Sequence, residues 1–489
     1  MVQVMLLGLC IAQGLATIQV YLSNSELHHN VELIRNAGYL AIPNQRIMHT
    51  LQEFGPAFFG ALFFTLSVGT GLTLLSFAAA WAWDRIFGRG KPFLVILLLV
   101  WIACLAGVNR RGFCLMPTLH FLVIPIAVWW AALRLMPRQA KQGVWVNRIV
   151  NLIPVVLLAA LWTTQMDKYL FLDIRDHLLL SNSIGRKVNN FYYNYTLYPA
   201  EVFKSLNQKL IKTCNLESIK QKSIVPSLER RLLNHDYLIV TGAERVNLRI
   251  SQTHDILILE NERRAVMAVP VKDFVSRPGD ILEKFSVKSD MYGFFRKFTF
   301  FSFLIGFPIT LYVVLYASFL LALRRFLASM ASSVIASLLC FLLGIALLGH
   351  LHYSRGKTIE VDALADTLES ERWQDRVAAL KTIAEKGIEV AGFSVYKQML
   401  KSPSIPERYW LARVLGISRR PQTYRELLAF LDDPHPNVVS MALSALGQRG
   451  DRRAVREIRR RIETSNNWYN QWYAYKALRA LGWKQSKLR

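Results

Sequence analysis

The chain has 489 residues, too many for one ordinary domain, and its length alone predicts about three. Hydrophobic residues make up 53% of it and charged residues only 19%, where soluble chains carry about 25% charged residues. This composition excludes disordered, collagen-like and disulfide-scaffold proteins and indicates a membrane protein. The five cysteines also exclude the usual zinc sites, because no two of them have C-x2-C spacing.

Long apolar runs predict seven spans of a membrane, since a span needs about 20 predominantly apolar residues. The runs lie at 4–22, 56–82, 93–109, 115–134, 149–165, 298–323 and 327–349. No Lys or Arg precedes the first run, so it lacks the basic start of a signal peptide. We expect an uncleaved helix there, or the remains of a mis-assigned gene start.

The distribution of the net charge of +25 predicts the topology. Nine basic residues fall in loops on one side of the predicted spans: Arg85, Arg89, Lys91, Arg134, Arg138, Lys141, Arg148, Arg324 and Arg325. The opposite side has five: Arg35, Arg46, Arg110, Arg111 and Lys297. Because basic loops face the cytoplasm, we expect 23–55, 166–296 and 351–489 to lie outside the cytoplasm of a bacterial inner membrane.

The middle segment predicts a small α+β domain. Residues 166–235 have a helical pattern, and four short strands follow at Tyr237–Thr241, Val246–Ile250, Asp255–Glu260 and Ala265–Val271, which favour an antiparallel meander. Cys214 lies in this segment and Cys114 in a loop on the same predicted side of the membrane. Disulfides persist outside the cytoplasm, so a Cys114–Cys214 bridge between domain and bundle is one prediction.

Few residues in the chain suggest catalysis. Asp173, Asp176 and His177 could share a helix face and bind a metal or exchange protons, but a charged helix surface outside the membrane is the commoner explanation. The chain contains no Gly-rich phosphate loop, G-x-G-x-x-G or H-E-x-x-H motif. We therefore predict no catalytic residue, no metal site and no cofactor, and the pattern favours a binding protein over an enzyme.

The tail, 351–489, contains an internal repeat. Four segments align: Ala379–Ala384, Leu411–Gly416, Ala442–Gly447 and Ala477–Gly482, with amphipathic helices between them. At these residues the tail resembles the HEAT-like repeats of the phycobilin lyase (PBS-lyase) type, whose pattern D-x-x-x-x-V-R-x-x-A-x-x-A-L-G-x-x-G-D matches Asp433 to Asp451. The resemblance implies an α-solenoid with a protein-binding surface, in which stacked helix pairs share a core. It does not imply lyase activity.

A basic and aromatic stretch ends the tail. Its candidate surface residues are Arg449, Arg452, Arg453, Arg456, Arg459, Arg460, Trp468 and Trp472. Three interpretations stay open: a solvated helix face with aromatic residues in the repeat core, a surface for anionic lipid or an acidic protein, and a nucleic-acid surface. A tail outside the cytoplasm would meet no nucleic acid, so we do not expect that partner.

Together these patterns predict four regions. Residues 1–165 supply five membrane helices, 166–296 an extracytoplasmic α+β domain, 297–350 a membrane hairpin and 351–489 a HEAT-like solenoid. The predicted function is an integral membrane scaffold or assembly factor that binds a partner protein through the solenoid. The alternative is a membrane-embedded enzyme or carrier for lipid-linked envelope substrates, regulated by the solenoid. That alternative requires His120, Asp173, Asp176 and His177 to converge.

Overall fold

The apolar runs form long helices in the structure, a computed structural model that describes residues 2–136, 144–196, 200–262, 264–355 and 359–487. Within these described ranges, six helices are long and apolar enough to cross a membrane: Val2–Asn36, Phe54–Arg85, Lys91–Asn109, Leu115–Leu135, Gly293–Leu323 and Ser329–Ser354. They account for six of the seven predicted runs. The remaining run, 149–165, lies in the helix Val144–Thr164, whose apolar part, Asn151–Thr164, is shorter. The predicted loop residues Arg138 and Lys141 lie outside the described residues.

Several of these helices direct their apolar side chains outward. Only 6% of the apolar window of Lys91–Asn109 is buried, and only 11% of that of Gly293–Leu323. Leu99, in the first of them, is 61% exposed. A soluble protein rarely exposes apolar patches of more than a few hundred Å², so these helices require an apolar environment or a covering partner.

Small and polar side chains lie between the apolar helices. Gln13 accepts a hydrogen bond from the Thr65 hydroxyl at 2.6 Å. Ser333, which is 8% exposed, accepts one from Asn151 at 2.8 Å and lies 2.8 Å from the Tyr316 hydroxyl. Such residues let helices approach closely and join them by hydrogen bonds. Ser333 of the helix Ser329–Ser354 therefore serves packing inside this helix group.

The chain divides into two units, and the division does not follow the predicted regions. A bundle unit comprises Met1–Leu22, Ala57–Ile174 and Met291–Tyr353. A repeat unit comprises Ser23–Pro56, Arg175–Asp290 and Ser354–Arg489. The predicted α+β domain and the predicted solenoid thus belong to one unit, together with a segment from near the start of the chain. Hydrogen bonds join these three segments to one another.

A five-stranded sheet forms the α+β part of the repeat unit. Its strands are β1 (Lys212–Asn215), β2 (Tyr237–Ile239), β3 (Leu248–Thr253), β4 (Ile256–Glu260) and β5 (Ala265–Pro270), in the order β2-β1-β3-β4-β5. The predicted meander is wrong in its first half, because β1 is a fifth strand that pairs in parallel with both β2 and β3. Only β3, β4 and β5 are antiparallel. The helices Val225–Asn234, Val271–Ser276 and Pro278–Ser289 pack against the sheet. Three further helices precede the sheet in the chain, at Leu170–Asp173, Ser183–Phe191 and Ala200–Phe203.

Strand β1 contains Cys214, one of the two cysteines of the predicted disulfide. Cys214 lies in the centre of this strand, fully buried, in a core that includes Leu248 and Phe285. Burial raises the pKa of its thiol above the ordinary value. All five cysteines are free, and Cys114 belongs to the bundle unit. The Cys114–Cys214 bridge stays a prediction.

The tail folds as paired helices. Four motif helices carry the aligned segments: Trp373–Lys386, Ile405–Leu415, Pro436–Arg449 and Trp468–Ala480. Linking helices lie between them at Tyr396–Met399, Pro421–Ala429 and Val455–Thr464, and the short helix Leu364–Leu368 precedes them. Successive motif helices pack closely, since a Cβ on Gly416 would lie 2.8 Å from that of Ala445.

Candidate interaction surface

Buried ion pairs join the successive repeats. Arg376 donates two hydrogen bonds to Glu407, at 2.6 and 2.8 Å. Arg408, one motif helix further on, donates two to Asp433, at 2.7 and 3.2 Å. Glu407 is 1% exposed and also accepts a bond from Ser402. Since the carboxylates are almost fully occupied in this way, this ladder of ion pairs has a structural role.

A second buried ion pair joins the repeats to residues 175–195, named here the covering segment. Arg175 donates from Nε and Nη2 to Asp176 Oδ1, at 2.8 and 2.7 Å. Trp410 Nε1 donates to the other carboxylate oxygen at 2.8 Å. The Arg175 guanidinium also lies over the Tyr409 ring, 3.8 Å from its centroid. Arg175 is 6% exposed and Asp176 is fully buried, so the pair is enclosed by the repeats.

The covering segment contacts each of the four motif helices near its first turn. Besides the contacts at Trp410, His177 stacks on Trp373 at 5.5 Å between ring centroids. Asn189 donates to Asn437 at 3.2 Å, and the ring of Tyr193 lies 4.7 Å from that of Tyr469. One edge of the solenoid is therefore occupied by its own chain.

The C-terminal end of the solenoid is also covered from within. Asn44 Nδ2 donates to the carbonyl groups of Ile462, Glu463 and Ser465, where the last linking helix ends. Gln485 exchanges two hydrogen bonds with the backbone of Leu40. A solenoid needs a polar cap at each end, and residues near the start of the chain provide one here.

The last motif helix is bonded to the sheet as well. Asp236, in the turn before β2, accepts hydrogen bonds from Tyr475 and Arg479. Arg479 also donates to the Asn234 carbonyl at 2.6 Å. Because each of these contacts links tail and middle segment, the two form one unit.

The predicted aromatic surface residues lie in these internal contacts. Trp468 is 6% exposed. Trp472 is part-buried and faces two ammonium groups, those of Lys476 at 3.8 Å and Lys204 at 5.7 Å. Its neighbour Tyr469 is part-buried, and burial raises the pKa of its hydroxyl. The structure thus separates the aromatic residues from the predicted basic surface.

The predicted arginines divide into two groups. Arg449 is structural, because it donates to the Ser418 carbonyl and the Thr423 hydroxyl of the preceding repeat. The others form the arginine face, on the last linking helix and the turn before it: Arg452, Arg453, Arg456, Arg459 and Arg460. Three of these have carboxylate partners within the same stretch, Asp451, Glu457 and Glu463. Arg452 and Arg456 are exposed and have no ion pair among the described residues.

The residues required by the enzyme alternative are divided between the two units. His120 is buried in the bundle unit, where its Nδ1 lies 2.9 Å from the Met116 carbonyl oxygen. Asp173 is also assigned to that unit, whereas Asp176 and His177 belong to the repeat unit. Both oxygens of Asp176 already accept hydrogen bonds. Among the described residues, no three His, Cys, Asp or Glu side chains are grouped to hold a metal ion.

These stacked helix pairs define a protein with an α-solenoid of repeats. A family model for HEAT repeats matches residues 394–479, which confirms the HEAT-like region predicted at the C-terminus. Comparisons with curated proteins and with solved structures give no match. HEAT repeats generally mediate protein–protein interaction, so the functional question is which surface of these repeats is open.

The sequence provided only weak signals for the internal contacts. Asp176 and His177 stand out as charged residues in a helical pattern, and Tyr193 as part of an aromatic run. Their partners lie more than 180 residues further along the chain, at Trp410, Trp373 and Tyr469. Asn44 gave no signal, because a single Asn before a short helix is typical of an ordinary cap.

We predict that the Asp176→Asn substitution destabilises the repeat unit by about 3–5 kcal/mol, because it leaves the Arg175 charge buried without a counterion. Glu463→Gln is the matched control, since its pair with Arg459 is 40% and 51% exposed; it should cost less than about 1 kcal/mol. Denaturant unfolding of the purified chain, followed by tryptophan fluorescence, measures both. Equal losses for the two variants would contradict the structural role of the buried pair.

A second prediction concerns His435, which caps the helix Pro436–Arg449 by accepting from the Asn437 N–H at 3.3 Å. Burial, together with nearby arginines, lowers its pKa from 6.5 to about 4, against the opposing effect of Asp433. The neutral form is therefore favoured in the folded state. The stabilisation is complete above pH 6.5 and is lost as the pH falls towards 4, up to about 3 kcal/mol.

The His435→Asn variant retains a capping side chain but does not titrate in this range. Stability measured between pH 7 and pH 4 should fall less steeply in this variant than in the natural chain. Parallel curves for the two proteins would show that His435 does not contribute to the pH dependence.

Proposed function

We propose that the protein is an integral membrane scaffold, anchored by the bundle unit, whose HEAT solenoid binds an acidic partner protein through the arginine face. The observation that carries the proposal is the arrangement of the solenoid contacts. The covering segment and the N-terminal residues occupy one edge and one end, whereas the outer side of the last linking helix is exposed and basic.

The outward apolar surface of the bundle unit supports the membrane anchor. Helices with 6% and 11% of their apolar windows buried are stable in lipid, where backbone polar groups are satisfied within the helix. The excess of basic residues in the loops at 85–91 and at Arg324-Arg325 favours a cytoplasmic position for these loops. The repeat unit would then lie outside the cytoplasm of a bacterial inner membrane, as part of an envelope complex.

The chemistry of the arginine face favours an acidic protein. Arg456 and Arg460 are four residues apart on one helix and share a side of it. Guanidinium groups bind carboxylates through paired hydrogen bonds. In the existing pairs with Asp451 and Glu457 the arginine side chains are exposed and water screens the attraction, so a partner's carboxylates can compete for these arginines.

The test is a charge reversal in the full-length chain in its native membrane. We predict that Arg452→Glu combined with Arg456→Glu lowers the capture of a chemically crosslinked acidic protein by about tenfold, equivalent to the loss of about 1.4 kcal/mol of binding free energy. The matched control is Lys284→Glu combined with Lys288→Glu, an exposed basic pair at the same spacing on the helix Pro278–Ser289. This control should capture as much as the natural chain.

Two results would contradict the proposal. Equal capture by the arginine variant and by the control would show that the arginine face is not the binding surface. Release of the natural chain from membranes by alkaline carbonate would show that the bundle unit does not anchor it.

A further inference from the structure

An amphipathic helix in the covering segment exposes an apolar stripe. The helix Ser183–Phe191 carries Ile184, which is 75% exposed, and Val188, which is 52% exposed. Tyr192, 40% exposed, follows one turn later. The spacing of four residues places the three side chains on one side of the helix. These three residues are named here the outer stripe.

The adjoining side of the same helix is fixed to the solenoid. Asn189 is 1% exposed and donates to Asn437, and Gly185 is buried. In the next turn Tyr193 packs against Tyr469. Because these contacts prevent the helix from rolling, it cannot bury the outer stripe by rotation. The outer stripe therefore stays exposed as long as these contacts to the solenoid are formed.

The composition of the stripe's surroundings indicates what covers it. Residues 178–200 include Arg186 and Lys187 and no acidic residue. Lys187 is exposed and lies one residue before Val188 of the stripe. Exposed aliphatic side chains, tyrosines and basic residues together are typical of helices that lie in a membrane interface. Basic side chains there attract anionic lipid headgroups.

We propose that the helix Ser183–Phe191 lies in the headgroup region of a membrane containing anionic phospholipid, with the outer stripe at the acyl boundary and Lys187 at the headgroups. The occupant is lipid because the helix follows the apolar helix Val144–Thr164 closely in the chain and because its charge is wholly basic. This inference rests on the membrane anchor of the proposed function. It adds a second contact with the membrane, made by the repeat unit.

Photocrosslinking of the full-length chain in lipid nanodiscs tests this inference. The probe p-benzoylphenylalanine replaces Ile184 in one variant, Leu99 in a second and Ile256 in a third. Leu99 lies on the exposed apolar helix Lys91–Asn109 and reports on the membrane anchor. Ile256, 45% exposed at the start of β4, is the control for an exposed aliphatic residue away from the outer stripe.

We expect lipid adducts, identified by the phospholipid mass, at positions 184 and 99, each several-fold more abundant than at position 256. Adducts at 99 with none above the control at 184 would overturn the inference and leave the membrane anchor intact. Crosslinks from 184 to another protein would also overturn it, by identifying a protein-docking stripe. Absence of adducts at 99 would instead contradict the membrane anchor.

The role of Lys187 has its own comparison. In nanodiscs containing phosphatidylglycerol, Lys187→Glu should lower the adduct yield from position 184 several-fold. The yield should change little in nanodiscs made only of phosphatidylcholine. Equal effects in the two lipid compositions would overturn the assignment of Lys187 to anionic headgroups.

Discussion

The buried pair of Arg175 and Asp176 is the interaction on which the organisation of the repeat unit depends. Removing two charges from water costs several kcal/mol for each ion unless every donor and acceptor is satisfied. Here Trp410 and Tyr409 complete the environment of the pair. A displacement of the covering segment along the solenoid would keep the two charges paired but would remove the Trp410 hydrogen bond from Asp176 and the Tyr409 ring from Arg175, so these contacts favour one register between the segment and the repeats.

Because of this constraint, the HEAT region is one part of a larger folded unit. Although repeats 394–479 match the family model, they are not an independent tail attached to a membrane domain. Their first turns are covered by 175–195, their last helix is bonded to Asp236, and their end is capped by Asn44. The surface left for a partner is the outer side formed by the linking helices. The contacts of Asp236 and Asn44 fix the position of the last helices within the repeat unit.

The parts of the fold that were predictable from the sequence depend on local pattern. Apolar runs identified the six long helices, and the four aligned repeat segments identified the HEAT-like region, because hydrophobic periodicity is encoded residue by residue. Strand β1 was missed because Lys212–Asn215 has only four residues, all buried, with no alternation. Its position between β2 and β3 depends on pairing that only the folded chain shows.

The candidate surface was predictable only in part for the same reason. Composition could group Arg456 with Trp468, but packing places the arginine on the exterior and the tryptophan in the interior. The roles of Asp176 and Asn44 depend on partners more than 200 residues distant. The buried environment of Cys214 was not predictable either, since it depends on a strand that the sequence pattern did not reveal.

The central claim is that the covering segment and the repeats fold as one unit. Hydrogen–deuterium exchange of the full-length chain tests it most directly, by comparing the amides of 175–180 with those of the motif helix Ile405–Leu415. Segments that open together share the same free energy of opening, so the account predicts equal protection in the two, lost together under mild denaturant. Rapid exchange of 175–180 beside a protected motif helix would contradict it.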